Sequence, residues 1–220
     1  MGLTKFGVDV LIAVAVIAVL FFGLAIWTDE TWLRVVLAVV ATFLVVFSLN
    51  FFRDPDRTPA SAGRGLDSLV ISPADGRIVI LKETDEPNYL HSRAWLISIF
   101  MSPLDVHVNR APMTGVVEYF KYIKGEFIKA SEESSTHRNE RAMIGLNVHG
   151  RRILFSQVAG YIARRIVCPV KVGDTLRVGE RFGMIKFGSR VDIWLPLDAR
   201  ILVKMGQTVR AGETVLAELP

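Results

Sequence analysis

The residues that are most clearly suited to catalysis lie near the end of the chain, in the stretch MIKFGSRVDIWLP from Met184 to Pro196. Gly188 and Ser189 form a small polar break between two apolar runs that are typical of strands, and a Gly-Ser pair is ordinarily a turn. A serine hydroxyl becomes a nucleophile only when a neighbouring base accepts its proton. Ser189 is therefore a candidate nucleophile only if the fold brings a base to it.

Four histidines could supply that base, namely His91, His107, His137 and His149. Three of them stand in polar or charged segments, so we expect them at the surface. His107 differs because it alternates with Val106 and Val108 in LDVHVNRAP, and alternation along a strand places its side chain on the face opposite both valines. Taken alone, His107 is either a base or a buried structural histidine.

Two apolar runs near the N-terminus indicate that the protein is bound to a membrane. Residues 10–27, VLIAVAVIAVLFFGLAIW, and residues 35–52, VVLAVVATFLVVFSLNFF, carry no charge, and each would be about 27 Å long as a helix. With their flanks they can cross a bilayer. A buried hairpin would show a polar face, and a signal peptide would not be followed at once by a second span. The sequence predicts a transmembrane helical hairpin over residues 1–52.

Charge predicts the orientation of this hairpin. Lys5 precedes the first run and three arginines follow the second within residues 53–64, whereas the connecting loop 28–31 is acidic. Because Lys and Arg are retained on the cytoplasmic side, we expect both ends of the hairpin in the cytoplasm and the chain in the inner cell membrane. A single cysteine, Cys168, suits a reducing compartment. The net charge of +4 favours an anionic membrane surface over a nucleic acid.

The remainder of the chain predicts a linker and a β domain. Residues 53–67, RDPDRTPASAGRGLD, are rich in Pro, Gly and charge and are typical of a linker. From residue 68 to residue 220, short apolar runs are divided by Gly, Pro and Asp, which predicts a mostly-β domain.

This β domain contains an internal repeat. KVGDTLRVGERFGMI from Lys171 aligns with KMGQTVRAGETVLAE from Lys204, and a Pro-x-x-small-x-aliphatic pattern begins at residues 73, 112 and 196. Such repetition is typical of a fold built from repeated units. The pattern resembles the flattened β-barrel, or barrel-sandwich hybrid, of biotinyl and lipoyl domains, and this resemblance implies two similar strand-turn units around a pseudo-twofold axis. Those domains attach a cofactor to a lysine at a hairpin tip, but here Lys204-Met205 opens a repeat and Gly188-Ser189 stands at the hairpin position.

Four motifs in order resemble the phosphatidylserine decarboxylase proenzyme family, in its short, membrane-anchored branch. They are SPADG at 72–76, SPLDVHVNRAP at 102–112, NER at 139–141 and FGS at 187–189, behind the apolar runs. The resemblance covers the chain from about residue 50 to its end. It implies a pyruvoyl-dependent enzyme that converts phosphatidylserine in the membrane to phosphatidylethanolamine. The alternatives are a decarboxylase of another serine phospholipid such as archaetidylserine, or a membrane-tethered biotinyl/lipoyl-like binding module without self-cleavage.

The resemblance also implies how the cofactor arises. Ser189 would attack the carbonyl of Gly188, and elimination would split the chain into a β chain of residues 1–188 and an α chain of residues 189–220. The two chains would remain a heterodimer, with a higher oligomer left open. The pyruvoyl group derived from Ser189 would form a Schiff base with the substrate amine and act as the electron sink that decarboxylation needs. Neither PLP nor a metal is expected.

A triad of Ser189, His107 and Asp75 follows from the same resemblance. His107 would be the base and Asp75, from SPADG, the acid that orients it, with Asp105 as the rival acid. Longer family members carry a second histidine where this chain has Arg110, so whether His107 serves both self-cleavage and decarboxylation is open.

Arginines are the predicted ligands of the substrate phosphate or carboxylate. The planar guanidinium of Arg110 suits such groups. Arg164 and Arg165 are further candidates for the phosphate, with a solvated surface position as the alternative for at least one of them.

Overall fold

The computed structural model describes residues 2–59, 65–126, 135–160, 165–186 and 189–220. Its internal contacts divide the chain into two compact units, Met1–Asp56 and Arg57–Pro220. The division falls inside the stretch predicted as a linker, and Arg57, the first residue of the second unit, pairs with Asp75 of the same unit.

The first unit is a helical hairpin. Its elements are β1 (Gly2–Leu3), α1 (Val8–Trp27), α2 (Thr31–Phe51) and β2 (Arg53–Asp54), and β1 pairs antiparallel with β2. Both helices are long and apolar enough to cross a membrane, so the two predicted apolar helices are confirmed. The second helix begins before the uncharged run because it accommodates Arg34, whose Nε and Nη2 donate to the carbonyl oxygens of Ala25 and Thr28 at 3.1 and 2.8 Å.

After a 3-10 helix at Leu66–Ser68, the described residues of the second unit form strands of two to eleven residues and one four-residue α-helix, which confirms the predicted mostly-β domain. In chain order these are β3 (Leu69–Ile71), β4 (Gly76–Glu86), β5 (Ser92–Met101), β6 (Val108–Arg110), β7 (Gly115–Ile123), α3 (Ser135–Arg138), β8 (Arg141–Val148), β9 (Arg151–Ala159), β10 (Arg165–Val167), β11 (Thr175–Leu176), β12 (Arg181–Lys186), β13 (Ser189–Pro196), β14 (Arg200–Ile201), β15 (Thr208–Val209) and β16 (Val215–Glu218).

The strands pair antiparallel in one large sheet and two small ones. The large sheet has eight strands in the order β11-β7-β8-β9-β13-β5-β4-β15, and the three-stranded sheets have the orders β10-β12-β6 and β14-β16-β3. Strand β13 therefore lies between β9 and β5, two strands that are distant from it in the sequence. Position in the sheet, not position in the chain, makes β13 central.

Both faces of the large sheet are covered around β13. Val191 and Ile193 belong to the main apolar core, whereas Trp194 belongs to a second buried cluster with Leu96 and Leu154. Successive side chains of a strand point to opposite faces, so the two clusters lie on opposite sides of the sheet. Every residue of β13 from Ser189 to Leu195 is buried as a result.

The sequence repeat has a counterpart in the backbone hydrogen bonds. The amide of Ile71 donates to the carbonyl of Pro112, and the amide of Arg110 donates to the carbonyl of Pro73, each at 2.9 Å. The repeat turns also agree, since Gly179 and Gly212 have φ values of +76° and +74°, which glycine adopts without strain. The two Pro-x-x-Gly segments are therefore related by a local pseudo-twofold pairing.

Candidate functional site

Ser189 is the first residue of β13 and is fully buried. It pairs across the sheet with Met101 of β5 and with Ala159 of β9. Its Oγ donates to the sulfur of Met101 at 3.4 Å, and a thioether is a weak acceptor. Among the described residues, this weak acceptor is the partner that holds the hydroxyl. Gly188, the other half of the predicted cleavage site, lies outside the described residues.

His107 lies directly before β6 and is also fully buried. Its Nδ1 is 2.9 Å from the main-chain carbonyl oxygen of Asp105. Because a carbonyl oxygen can only accept a hydrogen bond, Nδ1 carries the proton, and in the neutral ring Nε2 carries the lone pair. The main chain therefore sets the tautomer that a general base needs.

Two connections bring the segment of His107 to the strand end that carries Ser189. Met101, the Cα partner of Ser189, is six residues before His107 in the chain. Asn109, in the strand that follows His107, reaches the sulfur of Met101 with its Nδ2 at 3.7 Å. Gln157 then holds the Oδ1 of Asn109 at 2.8 Å. A buried polar network thus links β6, β5 and the first residue of β13.

Asp75 makes other contacts than those predicted. Arg57 binds its carboxylate with Nη1 and Nη2 at 2.5 and 2.8 Å, and the amide of Ala211 donates to its Oδ1 at 2.8 Å. The Nδ1 of His107, which an orienting carboxylate would occupy, is instead bonded to the carbonyl of Asp105. The rival carboxylate of Asp105 accepts from the amide of Ser102 at 2.7 Å. Direct orientation of His107 by Asp75 therefore stays a prediction.

The repeat explains part of the environment of Asp75. Thr114 occupies the equivalent position of the second Pro-x-x-Gly segment, and its Oγ1 accepts from the amide of Val178 at 3.0 Å, as Asp75 accepts from Ala211. Both copies thus cap a repeat turn. The ion pair with Arg57 belongs to the Asp75 copy, where both side chains are largely buried. Composition placed Arg57 in a linker, and no local signal distinguished it from its neighbours.

The loop that carries Asp75 packs against the strands of the site. Its Pro73 carbonyl accepts from the amide of Arg110 at 2.9 Å and faces the Nδ2 of Asn109 at 3.5 Å. Gly76 has φ +146°, and a Cβ there would lie 2.0 Å from the carbonyl oxygen of Phe100. Glycine is required by this close approach. Asp75 is thus connected to the segment after His107 through the loop and its main chain.

The predicted substrate arginines are in different surroundings. Arg110 is buried, and its Nη1 donates to the carbonyl of Gly179 at 3.0 Å. Arg165 is exposed at the start of β10, opposite Lys186 of β12. Arg164 lies outside the described residues. Their roles with substrate phosphate stay predictions.

Sequence reasoning missed a buried charged pair directly after Ser189. The guanidinium of Arg190 contacts the carboxylate of Asp192, with Nε 2.8 Å from Oδ1, and both side chains are fully buried. Nη2 of Arg190 also donates to Oγ1 of Thr136 at 2.5 Å. Burial lowers the pKa of the nearby Arg141, and the carboxylate of Asp192 raises it in opposition. Alternation with Val191 made these charges look like a solvated strand face, and no local signal contradicted it.

The described residues offer no support for a metal site or for a cysteine nucleophile. In that part of the chain, no group of His, Cys, Asp and Glu is arranged to hold a metal ion. Burial raises the pKa of the Cys168 thiol to about 11, so this side chain is protonated at neutral pH and is a poor nucleophile.

Comparison with known proteins identifies the family. The phosphatidylserine decarboxylase family model matches residues 44–217. A phosphatidylserine decarboxylase proenzyme of Chlorobium luteolum is 49% identical over 84% of this chain and 84% of its own. Proteins with the same description from Salinibacter ruber and Solidesulfovibrio magneticus are 45% and 44% identical, over 90% and 99% of this chain and 87% and 96% of their own.

The fold and the site together describe a β domain that follows two apolar helices in the chain and has a buried serine at the first residue of a central strand. The chain belongs to the phosphatidylserine decarboxylase family.

Proposed function

We propose that this protein decarboxylates phosphatidylserine to phosphatidylethanolamine after cutting its own chain between Gly188 and Ser189. The observation that carries the proposal is the position of Ser189, buried at the first residue of a central strand inside the region that the family model matches. The relatives are named proenzymes, which supports an activating cleavage.

Self-cleavage requires a nucleophile and a base. We assign the nucleophile to the Oγ of Ser189, which forms an ester with the carbonyl carbon of Gly188 while the peptide C–N bond breaks. The Nε2 of His107 accepts the hydroxyl proton and passes it to the leaving nitrogen, which becomes the amine of residue 189. Loss of the Cα proton of residue 189 then expels the Gly188 carboxylate, and hydrolysis of the resulting dehydroalanine releases ammonia and leaves a keto group.

We assign Asp75 to the support of His107. Its carboxylate fixes the loop 72–76 through Arg57 and Ala211, and this loop binds the main chain of Arg110, three residues after His107. In this assignment, Asp75 supports His107 through the loop and its main chain. A hydrogen bond from Nδ1 of His107 to the carboxylate, as first predicted, would orient the histidine more directly.

The buried environment of Ser189 suits a pyruvoyl group, because a keto group there is surrounded by apolar core and by the weakly polar Met101 sulfur. Such a group supplies the electron sink for loss of carbon dioxide from the serine headgroup. The chain's part is to hold residue 189 in register with β5 and β9 and to provide His107 for proton transfer. Neither PLP nor a metal enters this proposal.

The membrane location follows from the two apolar helices. They fit membrane association, and the flanking charges favour an inner-membrane protein whose β domain is cytoplasmic. A two-chain lipid is presented only at such a surface. The products of cleavage, residues 1–188 and 189–220, would form the heterodimer. The likeness of the repeat to biotinyl and lipoyl domains stays a prediction, and so does archaetidylserine as an alternative substrate.

The test is the intact mass of the purified protein together with carbon dioxide release from phosphatidylserine vesicles. Wild type should appear as two chains, with the small chain beginning at residue 189 and lacking a free amine. Ser189→Ala should stay one inactive chain, whereas Ser92→Ala, at an exposed serine, should be cut and active. A wild-type protein that remains whole and still releases carbon dioxide would contradict the proposal.

A further inference from the structure

Arg190 and Asp192 form a charged pair on the face of the sheet opposite Ser189. Ser189 and Val191 point to the main core, so the alternation of β13 places Arg190 and Asp192 on the other side. Both side chains have no exposed surface, and two contacts join them: Nε to Oδ1 at 2.8 Å and Nη2 to Oδ2 at 3.0 Å. The pair thus sits on the two residues of β13 that are nearest the reacting position on that face.

Such a pair is not needed for stability alone. Apolar side chains of similar volume often replace a buried ion pair at no cost in stability, and the same face of the sheet carries the apolar side chains of Trp194, Leu96 and Leu154. An apolar strand face would have served the fold. The charges therefore indicate a role that needs a directional hydrogen bond to a specific partner.

That partner is Thr136, whose Oγ1 accepts from Nη2 of Arg190 at 2.5 Å. Thr136 is buried in α3, in the segment of residues 135–140, which we call the bracket. The bracket also contacts the strand beside Ser189: the Nδ2 of Asn139 donates to the carbonyl of Ala159 at 2.7 Å. Ala159 is the Cα partner of Ser189. One segment therefore holds both Arg190 and the neighbour of Ser189.

The cut proposed above separates these residues into two chains. Arg190 and Asp192 would fall in the small chain, and Thr136 with the rest of the bracket in the large chain. Before the cut, residue 189 is tied covalently to β12, which is itself paired with β6 and β10. After the cut, residue 189 is a chain end, and chain ends are poorly ordered unless they are tied down.

We infer that Arg190 is a positioning residue, which through Asp192 and Thr136 anchors the reactive end of the small chain to the large chain after cleavage. The inference rests on the self-cleavage proposed above and assigns a task that begins only when the peptide bond is gone. A misplacement of about 1 Å at a reacting group can reduce turnover about 100-fold, so holding this chain end affects chemistry more than folding.

The test uses Thr136→Val, which removes the acceptor and keeps the shape and the ion pair. We expect complete cleavage at the normal rate. We expect kcat per pyruvoyl-bearing small chain to fall about tenfold, the size typical of a lost hydrogen bond to a charged group, with KM changed less than about twofold. Thr136→Ser, which keeps the hydroxyl, should restore kcat, and Thr175→Val, at an exposed strand position, should equal wild type.

A second variant separates anchoring from charge burial. Arg190→Met combined with Asp192→Leu should fold and be cut, because an apolar pair replaces the charges, and it should show the same low kcat as Thr136→Val. Wild-type kcat in either variant would overturn the anchor, as would a Thr136→Val protein that fails to cleave. A wild type that stays whole overturns the proposed function and the anchor together, whereas a cut wild type with an equally active Thr136→Val overturns the anchor alone.

Discussion

Asp75 and Thr114 occupy equivalent positions in the two copies of the repeat and perform the same backbone task. Each side chain accepts the amide of a repeat turn, from Ala211 in one copy and Val178 in the other. The copies differ in charge and burial, because Asp75 is buried with Arg57 whereas Thr114 is exposed. Capping the turn therefore needs only an oxygen, and the carboxylate and its arginine serve something else.

The largest effect on self-cleavage is expected from a change at His107, and the effects of changes at Asp75 and Thr114 are compared with it. His107→Ala removes the residue that we propose as the base for Ser189, so self-cleavage should slow about 1,000-fold, within the range for general-base catalysis. The proenzyme should accumulate, as seen by intact mass over time. His149→Ala, in a turn at the surface, is the control and should be cut normally. A His107→Ala protein cut at the normal rate would remove this residue from the processing step.

Breaking the ion pair of the Asp75 copy should cost stability. Arg57→Met leaves the buried carboxylate without its cation, which typically costs about 3 kcal/mol of unfolding free energy. Arg57→Met combined with Asp75→Thr should regain most of that loss, since the second copy works with a threonine. Thermal unfolding of the detergent-solubilised protein measures both. Equal losses in the single and double variants would mean that the two side chains are not coupled.

Turning the first copy into the second tests what the charge does for catalysis. In the background of Arg57→Met, Asp75→Thr keeps the acceptor for Ala211 and so keeps the loop 72–76 in place. We expect cleavage within about tenfold of wild type, a loss equivalent to about 1.4 kcal/mol. A rate as low as that of His107→Ala would show that the carboxylate itself orients the histidine, as the family motif predicts.

The smallest effect belongs to the neutral copy. Thr114→Val removes an exposed acceptor for the amide of Val178, which should cost about 0.5–1 kcal/mol of stability and leave cleavage unchanged. Thr208→Val, at an exposed strand position, should show neither effect. A cleavage defect in Thr114→Val would mean that both copies, and not only the charged one, support the site.

The helices, the strand-rich domain and the repeat could be predicted because each has a signal within a short stretch of sequence. The two apolar helices and the strand-rich domain follow from runs of apolar residues, and the repeat follows from Gly and Pro spacing. The choice of Ser189 over other serines needed the ordered motifs, because a Gly-Ser pair alone indicates a turn. These signals act over a few residues, so a linear sequence displays them.

The contacts that the sequence did not display are those made between distant segments. Arg190 and Asp192 alternate with apolar residues, the pattern of a half-exposed strand, yet β13 is buried on both faces. The main core covers one face, and Thr136 and the cluster of Trp194 lie on the other. Arg57 lies in a stretch of linker composition, yet it pairs with Asp75, eighteen residues away. Burial of this kind is decided by which strands become neighbours.

The placement of β13 between β5 and β9 has a consequence for how the protein refolds after it has been unfolded. The uncut chain assembles this sheet within one molecule, so its folding does not depend on concentration. If the chain is cut as proposed, the small chain would contribute the central strand β13 and would pair through β15 and β16 with strands of the large chain. Reassembly after unfolding would then be a bimolecular reaction, whose rate falls as the protein is diluted. The active form would persist because it unfolds slowly, not because it can refold. Heated and cooled in dilute solution, Ser189→Ala would regain its structure where the cut wild type would not, and each enzyme molecule would have one opportunity to fold.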